Sequence, residues 1–132
     1  MDENTPDQSK SVLIVEDDKF LRDMLVNKFE EAGFQVNAAV TGGDAFKMLA
    51  VRKPDLITLD LIIPDMDGFR VLAKIKADPQ TLNIPILILS NLMEKEGIDR
   101  AMSLGAAAYL VKANSTPDEI VERVKTLIGE NK

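Results

Sequence analysis

The chain contains no cysteine, no histidine and no tryptophan. Without cysteine it forms no disulfide, no thiolate metal site and no thiol nucleophile. Without histidine it has no Ser-His-Asp chemistry and no imidazole zinc site, and it cannot carry a phosphoryl group on an imidazole of its own. No apolar run approaches the roughly 18 residues that a membrane-spanning helix needs. Positive charge is scarce as well: 16 Lys and Arg against 22 Asp and Glu leave a formal net charge of −6 and a pI near 4.7. That balance argues against direct binding of a nucleic-acid backbone, which calls for clustered Lys and Arg. The first residues, MDENTPDQSK, lack the basic start and apolar core of a signal peptide. A soluble, cytoplasmic protein with no membrane or nucleic-acid partner is expected.

What is present is core-forming material. Of 132 residues, 45% are hydrophobic and 29% charged, the composition of one globular domain. Residues 1–10 show no apolar periodicity and are expected to form a disordered tail, with the domain over 11–129 and a short tail at 130–132. Apolar runs rich in β-branched residues predict strands at Ser11–Val15, Phe34–Val40, Asp55–Asp60, Ile84–Ser90 and Ala106–Val111. Val12-Leu13-Ile14-Val15 and Ile86-Leu87-Ile88-Leu89 lack polar alternation and suit strands buried on both faces.

Between these runs lie stretches of helical spacing: Leu21, Met24, Leu25 and Phe29; Ala45, Phe46 and Leu49; Val71, Leu72 and Ile75; Ile98, Ala101 and Met102. The last, Ile120, Val121, Val124, Leu127 and Ile128, has the clearest start, with Thr116 as N-cap, Pro117 at the first helical position and Glu119 completing a capping box. Gly33 and Gly105 stand where helices should stop. Five alternations of strand and helix predict a doubly wound α/β fold: a five-stranded parallel sheet with five helices covering both faces.

In such sheets ligands bind outside the carboxyl ends of the strands. There the first run ends in Glu16-Asp17-Asp18, the third in Asp60, the fourth in Ser90-Asn91 and the fifth in Lys112. Asp18 reads as the cap of the first helix. If the first and third strands are neighbours, their carboxylates converge, and two like charges ~4 Å apart repel by about 4 kcal/mol at an effective dielectric near 20. A cluster of that kind needs cations. Lys112 supplies one charge, and the remainder suits Mg²⁺, which takes one or two carboxylates plus water and substrate phosphate. Competing motifs fail on spacing. With Gly68 as the turn glycine of a calcium loop, Ile63 and Lys74 would fall at the first and last ligand positions. The chain has neither G-x-G-x-x-G nor a Walker A lysine, and Ile62 stands where an aspartate-nucleophile phosphatase would carry its second acid.

These residues, in this order, resemble the receiver domain of two-component response regulators over about Lys10 to Gly129. Val12-Leu13-Ile14-Val15-Glu16-Asp17-Asp18 is similar to its first strand and acidic pair, and Leu59-Asp60 with Pro64-Asp65-Met66-Asp67-Gly68 to its phosphorylation loop. Ile86-Leu87-Ile88-Leu89-Ser90 is similar to its fourth strand, and Gly105-Ala106 through Tyr109 and Lys112 to its fifth. The resemblance implies a flavodoxin-like strand order 2-1-3-4-5. It implies Asp60 as phosphoacceptor from a histidine kinase or histidine phosphotransfer protein, and Mg²⁺ held by Glu16, Asp17, Asp60 and the backbone carbonyl of Ile62. Lys112 and Ser90 would contact the phosphoryl oxygens. Ser90 and Tyr109 would form a switch that reshapes the face of the fourth helix, fifth strand and fifth helix for a downstream protein, in a monomer or a phosphorylation-dependent homodimer. The domain would catalyse only its own phosphorylation and slow dephosphorylation. It would act by protein contact, alone or within a longer regulator.

The chain departs from the family pattern at four positions. Ala113 stands where proline usually follows the lysine in a cis peptide; a cis bond before a non-proline residue costs about 2.5–4 kcal/mol, so a trans peptide at Lys112–Ala113 is expected. Asn91 replaces a small residue, and either crowds the site or adds a hydrogen bond to the phosphoryl group. Ile62 and Leu92 are apolar where receivers often place water-positioning groups, so self-dephosphorylation should be slow. Two rivals belong to other classes: a pseudo-receiver scaffold that is never phosphorylated, and a small doubly wound enzyme or flavin binder, for which the chain has no dedicated phosphate loop.

Overall fold

The computed structural model describes residues 9–130, so most of both expected tails, residues 1–8 and 131–132, lies outside the described residues. In chain order the elements are β1 (Ser11–Val15), α1 (Lys19–Glu31), β2 (Gln35–Ala39), α2 (Gly42–Val51), β3 (Leu56–Leu59), α3 (Gly68–Ala77), β4 (Ile86–Ser90), α4 (Lys95–Ser103), β5 (Ala108–Val111) and α5 (Pro117–Glu130), with a 3₁₀ turn at Lys112–Asn114. Glu130 therefore ends a helix rather than beginning a tail. The strands form one parallel sheet in the order β2-β1-β3-β4-β5, the doubly wound, flavodoxin-like arrangement.

Strand pleating sorts the core into two layers. Val12 and Ile14 of β1 face Leu25 and Phe29 of α1 and Ile120, Val121 and Val124 of α5. Leu13 and Val15 point the other way, to Leu49 of α2, Val71, Leu72 and Ile75 of α3 and Ala101 of α4. Four strands are shorter than their predicted runs, by one residue at each end or two at the start. Just before β4, the Pro85 carbonyl accepts from the Ile57 N–H at 3.0 Å, but proline has no N–H to donate in return.

The local stop and start signals are used as expected. Asp18 caps α1, accepting from the N–H groups of Phe20 and Leu21 at 3.0 and 3.3 Å. Thr116 and Glu119 form the reciprocal box of α5, at 2.7 and 3.1 Å. Gly33 and Gly105 have φ of +97° and +111°, a backbone region that costs glycine little. One apolar face is corrected. In α4 only Ala101 is fully buried, while Ile98 is half-buried and Met102 is 42% exposed, so the sheet covers only part of the face these three share. No described helix is long and apolar enough to cross a membrane.

Candidate functional site

The order of strands changes direction between β1 and β3, whose pairing runs from Val12↔Leu56 to Val15↔Leu59. Each strand then ends in acid. Glu16 and Asp60 are buried directly after the last ladder residues, Asp17 is exposed beside them, and one carboxylate oxygen of each lies within 4.8 Å of the others. The loop backbone is pinned from α1: the Arg22 guanidinium donates to the carbonyls of Glu16 and Asp17 at 3.1 and 3.2 Å. The acids were legible in the sequence but this support was not: it runs from Arg22 in α1 back to carbonyls six and five residues earlier, before the helix begins.

Lys112 reaches the cluster from the end of β5. Its Nζ stands 2.8 Å from Glu16 Oε1 and 2.7 Å from Asp60 Oδ2. The other Asp60 oxygen, Oδ1, accepts the Ile62 N–H at 3.0 Å, so the carboxylate is oriented by one backbone and one side-chain donor. Burial pushes the Glu16 carboxyl above its ordinary range, aided by the Asp60 charge and opposed by Lys112. For Lys112, burial alone would lower the ammonium, but the hydrogen bonds and charges of Asp60 and Glu16 together outweigh it and hold it raised. One ammonium among three carboxylates leaves uncompensated negative charge facing the surface at Asp17. An all-oxygen donor set with residual negative charge fits a hard divalent cation such as Mg²⁺.

Ser90, fully buried at the end of β4, has its Oγ 3.4 Å from the Leu92 N–H. The ring of Tyr109 packs against the core on the α2–α4 side, and its hydroxyl donates to the Leu92 carbonyl at 2.6 Å. Burial raises the Tyr109 phenol, against the effect of a Ser90 hydrogen bond. No cis peptide occurs among the described residues, so Lys112–Ala113 is trans. The Asn91 Oδ1 accepts the Ala113 N–H at 3.0 Å, a contact that neither reading of Asn91 included.

A further acid was missed. The Asp65 carboxylate, in the loop after β3, accepts from the N–H groups of Gly42 and Gly43 at the start of α2, both at 2.9 Å. These two hydrogen bonds, Gly43's the larger influence, hold it below its ordinary range. Close packing tightens the same loop: a Cβ on Gly68 would run into the backbone of Leu61. The loop is also closed by an antiparallel bridge between Ile62 and Asp67.

Comparison with known proteins agrees with this geometry. The sequence matches the response regulator receiver domain over residues 12–125. It is 34% identical over 119 residues to the phosphate regulon transcriptional regulatory protein PhoB of Pseudomonas aeruginosa, an alignment covering 90% of this chain and 52% of that protein. The chain thus spans about half the length of such curated relatives. Among solved structures, a response regulator from Chloroflexus aurantiacus superposes with a TM-score of 0.85 at 30% identity, covering 92% of this chain and 99% of that one. The Mn(2+)-bound form of response regulator Rcp1 does so with a TM-score of 0.77 at 27% identity, covering 89% and 92%. With buried acids at the ends of β1 and β3, a lysine bridging them from β5 and a family match across nearly all of the folded chain, this protein belongs to the response regulator receiver domain family.

Proposed function

We propose that the domain takes a phosphoryl group from a histidine kinase or histidine phosphotransfer protein onto Asp60, and that the modified domain binds a downstream protein through α4, β5 and α5. The observation that carries this reading is the Asp60 carboxylate, buried yet shared between the Ile62 N–H and Lys112 at the open pole of the sheet. A carboxylate is a weak nucleophile, and the site compensates by fixing its direction. The phosphorus–nitrogen bond of the donor breaks as a phosphorus–oxygen bond to Asp60 forms, and the departing imidazole keeps the bonding electrons. Lys112, already 2.7 Å from Asp60, holds a phosphoryl oxygen as a point charge, and the Ser90 hydroxyl donates to another.

Glu16, Asp17, Asp60 and the Ile62 carbonyl would hold Mg²⁺, which when bound supplies the positive charge that offsets the crowding of Asp60 and the phosphoryl oxygens. That a relative of the same fold is described in a manganese-bound form supports the choice of a divalent ion. Ser90 and Tyr109, linked through Leu92, couple the site to α4 by shifting the balance between pre-existing arrangements. The domain works in the cytoplasm, as a monomer or as a homodimer formed on phosphorylation. It catalyses nothing beyond its own phosphorylation and slow dephosphorylation. Its net charge of −6 favours protein partners over a nucleic-acid backbone.

Incubation with Mg²⁺ and acetyl phosphate, read by intact mass, tests the reading. The chain should gain one phosphoryl group and Asp60→Asn none. A wild-type chain that gains nothing is a scaffold, and the proposal fails.

A further inference from the structure

The parallel pairing of β4 with β5 runs to Ser90↔Val111, and past it the two chains are joined by side chains. The Leu92 carbonyl accepts the Tyr109 hydroxyl at 2.6 Å, and the Ala113 N–H is taken by the side-chain oxygen of Asn91 at 3.0 Å. A removable amide thus joins the two chains just beyond the end of the ladder.

The location gives this contact a consequence. Ala113 directly follows Lys112 in the short 3₁₀ turn Lys112–Asn114. The turn's own bonds are local, from the Ser115 N–H to the Lys112 carbonyl at 3.3 Å and from the Ser115 hydroxyl to the Val111 carbonyl at 2.9 Å. Asn91 ties the turn's backbone to the neighbouring strand. We infer that Asn91 is a positioning residue: it holds the Lys112 turn against the end of β4, keeping the ammonium aimed at Asp60. The catalytic part of this inference rests on the phosphoacceptor reading; the structural part does not.

The experiment uses the full chain, Asn91→Ala and Asn91→Asp, which keeps an acceptor oxygen. Amide hydrogen exchange at Ala113 and the Lys112 ammonium resonance are followed by NMR without any phosphodonor. Phosphorylation is followed over a range of acetyl phosphate concentrations in Mg²⁺. Asn91→Ala should speed exchange at Ala113, shift the Lys112 resonance and lower the maximal phosphorylation rate about two- to fivefold, the lower half of what one hydrogen bond contributes, because both residues are exposed. Asn91→Asp should keep the Ala113 amide protected. Unchanged exchange in Asn91→Ala, or faster exchange with a wild-type maximal rate, overturns the inference. A wild-type chain that takes no phosphoryl group sinks the Asp60 reading instead, and the two NMR signals still decide whether Asn91 seats the turn.

Discussion

Replacing Lys112 by methionine keeps most of the stem and removes the ammonium that meets Glu16 at 2.8 Å and Asp60 at 2.7 Å. At an effective dielectric near 20 each pair gains about 6 kcal/mol of gross attraction, much of it cancelled by the cost of taking the charges out of water. The part of the loss that comes from Glu16 has a ceiling, because the orphaned carboxyl can take up a proton. Its ordinary value is 4.5 and burial already raises it, so protonating it at pH 7 costs at most about 3.4 kcal/mol, at ~1.36 kcal/mol per pH unit. The metal-free variant should therefore lose about 2–3 kcal/mol at pH 7 and less than about 1 kcal/mol at pH 5. The sign follows from linkage. A carboxyl whose folded pKa is raised binds its proton more tightly in the folded state, so it costs stability as pH climbs from 4.5 through the raised value. Without Lys112 that window extends higher. Urea unfolding in EDTA at the two pH values measures the loss, and added Mg²⁺ should restore more stability to the variant than it adds to the parent. Equal midpoints for variant and parent at pH 7 would refute the role of Lys112 as the counter-charge to Glu16 and Asp60.

Three further outcomes are expected. Gly68→Ala forces a methyl into the Leu61 backbone and should destabilise by about 1–3 kcal/mol as an overpacked site does; a thermal midpoint equal to the parent's would show that the loop yields. The Asp65 carboxylate is held below its ordinary value of 3.8 by the Gly43 and Gly42 hydrogen bonds, so its contribution is present above pH 3.8 and lost as pH falls through the depressed value. Asp65→Asn should accordingly lower the midpoint at neutral pH and flatten the acid limb of a pH–stability curve, and an unchanged acid limb contradicts the role. Finally, Ile62 is 62% exposed and, like Leu92, offers no polar side chain to orient an attacking water. The phosphorylated form should outlast a minute after the donor is removed, by intact mass, and loss within a minute rejects that.

Local grammar carried most of the fold. Asp18, the Thr116–Glu119 box, Gly33 and Gly105 act over a few residues, and their spacing is visible in the chain. The β1 and β3 termini were legible for another reason, since the doubly wound topology dictates which strand ends meet. Contacts made between loops were not legible. Asp65 meets Gly42 across 23 residues and Asn91 meets Ala113 across 22, and no periodicity marks either pair. Met102 misled because helical spacing identifies a face but not how much of a short helix the sheet can cover.

The walls of the site differ in stiffness. On the α3 side the loop after Asp60 is cinched by the Ile62–Asp67 bridge, the Gly68–Leu61 backbone contact and the Asp65 clasp on α2. On the α4 side, Leu92 is moored by the Tyr109 hydroxyl and a long contact to Ser90, with α4 itself sunk into the sheet at Ala101 alone. Bulk added between a rigid wall and a compliant one displaces the compliant one. Under the proposed function, a phosphoryl group added at Asp60 is expected to be accommodated toward α4.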